Sequence, residues 1–171
     1  MNSIFIKYGV LSQVTNVAAL PLYTEGTENV SWVKGIDTQV GSGFGTSANT
    51  YTEGASYITL KIVNEPTGFI TSNIAGVTDA TVDISPYKTA YVDWEVISGG
   101  TFALIVSTEK NDDVNEFNAK VTYGAGTGRK TSSVSISGLS GSHYVRVNAY
   151  AITAGPDTEE IEIRIHEVWL E

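Results

Sequence analysis

The stretch Ala90-Tyr-Val-Asp-Trp-Glu-Val-Ile-Ser-Gly-Gly-Thr-Phe-Ala-Leu-Ile-Val-Ser107 decides how this chain folds. Val92, Trp94 and Val96 alternate with Tyr91, Asp93 and Glu95, the period of two that belongs to a strand with one buried face. Phe102, Leu104 and Val106 repeat the pattern after Ser98-Gly99-Gly100, so the spacing predicts two strands joined by a hairpin turn. Nothing in these residues follows the three-to-four spacing of an amphipathic helix.

The same rhythm extends in both directions. Ile58, Leu60 and Ile62 form one inward face, and Val145, Val147 and Ala149 another. Near the end, Ile161, Ile163 and Ile165 occupy odd positions while Val168 and Leu170 occupy even ones. A strict period cannot bury both sets. A β-bulge near His166-Glu167 realigns them; the alternative places Trp169 in the core and exposes Leu170. Eight or nine short strands with clear turns and no convincing helix make an all-β chain, an antiparallel two-sheet β-sandwich. A jelly roll is the preferred topology and an immunoglobulin-like sandwich the alternative, although no Cys-Trp-Cys framework is present.

Residues 1–48 differ. They are rich in Ser, Thr, Asn and Gly, and are expected to be an N-terminal arm that docks on a neighbour through Phe5, Trp32 and Phe44. Residues 49–171 are the expected sandwich domain. With 171 residues, 42% of them hydrophobic, the chain can bury a sizeable core. Its net charge of −9 and ten scattered basic residues argue against nucleic acid as a partner. There is no cysteine, so disulfides and thiolate metal sites are excluded. No apolar run approaches the ~20 residues of a membrane helix, and no membrane partner is expected. The opening MNSIFIKYGVLSQ lacks a basic leading segment and is broken by Lys7 and Tyr8, so it is not expected to be a secretory signal.

Motifs for chemistry are weak. Gly138-Leu-Ser-Gly-Ser142 misses a nucleophile elbow at its last position and lies between two strands. Gly124 to Thr131 has Arg129 where a phosphate loop requires glycine, and reads as a mobile tip. Gly41 to Thr46 has Thr46 where a dinucleotide loop requires its third glycine. His143 and His166 stand apart. Asp112, Asp113, Asn115 and Glu116 offer oxygens to calcium without the spacing of an EF-hand loop, and Glu167 is one more conceivable ligand; a solvated acidic loop is the expectation, with no metal and no cofactor. Asp93 and Glu95 stand two apart on one strand face, at a separation glycosidases use, but both would approach a sugar from one side. No enzyme is expected.

The outward residues form a more coherent set. Tyr144, Arg146, Asn148 and Tyr150 alternate with the Val145/Val147/Ala149 face, and Tyr91 and Asp93 do the same on their own strand. Tyrosine rings stack on sugars or on partner side chains, while Arg, Asn and carboxylates hydrogen-bond hydroxyls. These six residues are the candidate contact surface, for a glycan or for a sister subunit.

Thr81 to Tyr87, Ala90 to Val96, Gly100 to Ser107, Ser135 to Val147 and Ile165 to Leu170 follow one another in an order that resembles the jelly-roll modules of tailed-bacteriophage structural proteins, themselves similar to carbohydrate-binding modules. The resemblance covers about residues 50–171, and the opening Ser3 to Tyr8 is similar to short openings of such proteins. It implies a non-enzymatic virion component of tail, baseplate, neck, head fibre or capsid decoration. Its implied partners are other virion proteins, sister copies in a homo-oligomer and a host-surface glycan. A free-standing carbohydrate-binding module is the alternative.

Overall fold

The computed structural model describes residues 17–40, 45–111, 117–123, 126–154 and 157–171. Thirteen strands run through them and there is no helix among the described residues. In chain order they are β1 (Leu20–Thr24), β2 (Thr27–Glu28), β3 (Trp32–Val40), β4 (Gly45–Glu53), β5 (Ile58–Pro66), β6 (Phe69–Thr78), β7 (Val82–Asp83), β8 (Thr89–Ser98), β9 (Thr101–Ser107), β10 (Ala119–Tyr123), β11 (Gly128–Ser135), β12 (Ser142–Ala154) and β13 (Glu159–Leu170).

They form two antiparallel sheets facing each other across one core. The seven-stranded sheet has β8 and β13 at its centre. β11 lies beyond β8, while β5 with β4 and β1 with β2 share the far edge of β13. The six-stranded sheet runs β10-β9-β12-β6-β3, with β7 paired to the start of β12. The all-β two-sheet sandwich expected from the alternating pattern is therefore the fold. Its core includes Trp94, Phe102, Leu60, Ile74, Val147 and Ile163, each no more than 1% exposed.

The Ser98–Gly100 turn is not a hairpin. β8 belongs to the seven-stranded sheet and β9 to the six-stranded one, so the chain crosses over the core instead of folding back in the plane. Trp94 and Phe102 consequently meet across the interior, edge to face, with ring centroids 6.3 Å apart. Period-two burial is satisfied equally by a neighbour in the same sheet and by one in the opposite sheet, so the pattern alone leaves the crossing open. Gly100 makes it sterically feasible: its φ is +143°, and a Cβ there would lie 2.6 Å from the Ile161 side chain. The link through Gly138 and Gly141 crosses in the same way, from β11 to β12.

The phase change in β13 is resolved by a bulge. Its pairing with β8 shifts between Ile165 and Glu167, which makes His166 the extra residue. Ile161, Ile163, Ile165, Val168 and Leu170 all enter the core at 1% exposure or less, and Trp169 faces outward.

The N-terminal segment corrects the expected arm. Residues 1–16, with Phe5, and residues 41–44, with Phe44, lie outside the described residues. The remainder is woven into the sandwich: β1 pairs with β13, β3 with β6 and β4 with β5, and the boundary at 48 falls inside β4. Trp32 is 2% exposed, donates from Nε1 to the Leu22 carbonyl at 3.1 Å and packs edge to face on Tyr23, so it is a core residue. Composition hid β4 because it carries Thr46, Ala48, Thr50 and Thr52 on its exposed face.

Between β1 and β2, Glu25 (φ +41°) and Gly26 (φ +85°) make the two-residue turn whose twist suits a hairpin. A Cβ on Gly26 would sit 2.0 Å from the backbone oxygen of Ala55. Gly26→Ala is expected to destabilise by about 1–3 kcal/mol, because it adds a clash with fixed backbone to a positive φ. A lowered thermal midpoint measures it, and an unchanged midpoint would refute the clash.

Candidate functional site

The six candidate contact residues do not converge. Tyr91 and Asp93 project from β8 on the outer face of the seven-stranded sheet, whereas Tyr144, Arg146, Asn148 and Tyr150 project from β12 on the outer face of the other sheet, across the core. The β12 set is not an open platform either. β12 is flanked on both sides by β9 and β6, and Arg146 and Asn148 are 0% exposed. Asn148 donates from Nδ2 to Asn73 Oδ1 at 3.0 Å, and Tyr150 packs on buried Ala103 and Ile105. Tyr144 and Tyr150 are half-buried. The alternation that identified one buried face was correct; a central strand buried on both faces shows the same polar–apolar alternation when its second face is polar and hydrogen-bonded.

The outer face of the seven-stranded sheet is the better candidate. The bulge at His166 turns Trp169 outward, directly across from Tyr91. The two rings stack nearly parallel, 5° between planes and 4.9 Å between centroids. On its other side Tyr91 is in register with Ser133 of β11, which is small and exposed. One face of the Tyr91 ring is thus supported by Trp169 and the other looks across a hydroxyl towards solvent.

One rung along, Asp93 lies between Thr131 of β11 and Glu167 of β13. Arg129 reaches Asp93 Oδ2 twice, from Nε at 3.0 Å and from a terminal nitrogen at 2.8 Å, leaving Oδ1 to accept other donors. The bond to Asp93 holds the Arg129 guanidinium still more firmly protonated, and Glu25 lies 3.6 Å from the same group. A further rung holds Glu95, 3.7 Å from Arg164 and 3.6 Å from His166. Arg164 lies over the Tyr57 ring at 4.8 Å. The result is a strip of one aromatic ledge and fixed hydrogen-bonding groups on rigid strands. Arg129 and Lys130, expected on a mobile tip, are strand residues of β11.

Asp93 and Glu95 share this face, each beside its own cation. Among the described residues no three His, Asp or Glu side chains gather as a metal site. Asp112, Asp113, Asn115 and Glu116 lie outside the described residues, and Glu167 stands on the outer strip.

Trp169 is the member of this site that sequence reasoning did not select. The phase change in β13 was the available signal, since a bulge puts Trp169 on the same side as Arg164 and Glu167. That its neighbour would be Tyr91 depends on strand order.

No protein-family model and no curated protein matches the chain. Solved structures do. The K1 cleaved adhesin domain of Lys-gingipain from Porphyromonas gingivalis W83 is 18% identical over 91% of this chain and 98% of its own, with a TM-score of 0.53. The glycoside hydrolase domain of Endo-D from Streptococcus pneumoniae R6 is 12% identical over 82% of this chain and 21% of its own, with a TM-score of 0.54. Carbohydrate-binding modules are also similar in structure; the family 11 module from Clostridium thermocellum, in complex with a β-1,3-1,4-mixed-linked tetrasaccharide, is 9% identical over 89% of this chain and 94% of its own, with a TM-score of 0.48. The first two likenesses show a shared β-sandwich fold. Neither is a virion protein, and the bacteriophage part of the resemblance gains no support from them.

Proposed function

We propose that this chain is a non-catalytic carbohydrate-binding module, with the Tyr91–Trp169 ledge on the seven-stranded sheet as its binding surface. The observation that carries the reading is the Tyr91 ring, supported on one face by Trp169 and open on the other towards Ser133. A pyranose presents an apolar C–H face and a hydroxyl rim. The first packs on the ring; the second meets Ser133 on the same rung and Asp93 Oδ1, Thr131 and Arg129 one or two rungs along. Because these groups stand on paired strands and Asp93 is already fixed by Arg129, little ordering entropy is lost on binding. A fold shared with an adhesin domain and with part of a glycoside hydrolase is compatible with this role.

A glycan array followed by affinity electrophoresis tests it. The wild type is expected to be retarded by at least one polysaccharide. Tyr91→Ala and Trp169→Ala are each expected to weaken retention about tenfold or more, equivalent to ~1.4 kcal/mol, while keeping the wild-type circular dichroism spectrum. Binding indifferent to both substitutions would remove the ledge from consideration. Reducing ends released by the wild type would overturn the non-catalytic part.

A further inference from the structure

A second feature lies at one end of the sandwich, away from the ledge. β12 outruns β9: its last rung with β9 is Tyr150 against Thr101, whereas its rungs with β6 continue to Ala154 against Phe69. The chain re-enters at Glu159 to begin β13, and the notch left between these segments is a cleft of about 280 Å³. Thr101, Tyr150, Ile152, Glu159 and Ile161 line it, and Gly100 closes it by packing on Ile161 without a side chain. This is slightly below the ~300–1,000 Å³ of sites for drug-sized molecules, so it suits a smaller group.

Its chemistry is specific. Glu159 accepts a hydrogen bond from Thr153 Oγ1 and, among the described residues, meets no Lys, Arg or His. Thr153 is itself held by Asn64 Nδ2 at 2.9 Å, and Asn64 Oδ1 accepts from Ser72 Oγ at 2.8 Å. Asn64 and Ser72 are fully buried and Thr153 is nearly so, which fixes the carboxylate that they support. Ser72 lies 2.8 Å from Ser47, which donates to Asn49, whose amide donates to Asp37. Partial burial would raise the Asp37 carboxyl, but bonds from Lys34 and Asn49 outweigh it and hold it below the usual carboxylate range. That ion pair lies at the far end of the chain of bonds; the Glu159 end has an anion without its cation.

We infer that this cleft binds an organic ammonium group. The Glu159 carboxylate supplies the counter-charge, and Thr101, Tyr150 and Ile152 line the rest of the cleft. A bare divalent cation does not fit, because it needs six or more oxygen ligands and the cleft offers one carboxylate. The wider field points the same way. Asp157, Glu159, Glu160 and Glu162 fall within six residues; Lys61 pairs with Glu160 and Glu162 and leaves the other two. With a net charge of −9, the chain attracts cations towards such a site. This inference does not rest on the glycan reading.

An amino sugar and a peptide lysine share this chemistry. Isotope-edited NMR titration of the full chain with glucosamine and with an Nα-acetyl-lysine amide, both protonated, distinguishes them. The amides of Gly100, Thr101 and Ile152 are expected to shift with at least one amine, and the tighter binder identifies the source. N-acetylglucosamine, matched in shape but uncharged, should leave them unmoved. Glu159→Gln, which keeps an acceptor for Thr153, is expected to weaken amine binding about tenfold or more. Added salt should weaken it further. No shift with either amine, equal shifts with N-acetylglucosamine, or undiminished binding by a folded Glu159→Gln would each overturn the proposal.

Discussion

Arg146→Ala is expected to lower stability by about 3–5 kcal/mol, the effect of removing a large side chain and a charge from a site closed to water. Arg146 is 0% exposed and sits on the central strand of the six-stranded sheet between Ile105 and Val77. Truncation removes its packed stem, opens a cavity and strands whatever polar groups the guanidinium satisfies. Arg146→Met, which keeps most of the stem, should recover a good part of the loss, since apolar replacements of buried charges are often close to neutral. The contrast with a surface residue is large: exposed substitutions usually stay within about 0.5 kcal/mol. Urea unfolding of the two variants measures the difference as a change in midpoint at constant slope. A near-wild-type midpoint for Arg146→Ala would return this residue to the accessible surface, and with it the β12 face as a contact site.

Trp94→Ala is expected to be as severe, at about 3–5 kcal/mol. Trp94 heads the largest side chains that are fully buried. It packs edge to face on Phe102 and lies in register with Ile165 on one side and Lys130 on the other. It therefore ties the centre of one sheet to β9 of the other. Against a typical total of ~5–15 kcal/mol, such a loss brings the folded state close to its threshold. Thermal melts followed by far-ultraviolet circular dichroism should show a large drop, while Trp169→Ala, on the outer strip, should leave the midpoint nearly unchanged. If both variants melt alike, the assignment of Trp94 to the core and Trp169 to the surface fails.

The comparison of these two tryptophans shows how far the sequence reaches. Both lie in alternating strands, Trp94 in phase with Val92 and Val96, Trp169 out of phase with Val168 and Leu170. Period two assigns each to its side, and the slip after Ile165 locates the bulge to within a residue. These are local facts, set by adjacent residues on one strand. Trp32 escaped the same logic because its neighbours Lys34 and Asp37 straddle a register shift in an edge strand, where alternation breaks down.

The Tyr91–Trp169 ledge needed more. Its members are 78 positions apart and meet only because β8 and β13 are neighbours in one sheet. The cleft at Glu159 likewise depends on β12 running past the end of β9. The alternating pattern by itself determined an all-β sandwich, its inward residues and the bulge, because burial of every second side chain is a property of a strand alone. Which strands lie side by side, which cross the core and whether a polar face is open or buried were decided only by the tertiary structure, because each of these is a relation between strands that no single strand's period encodes.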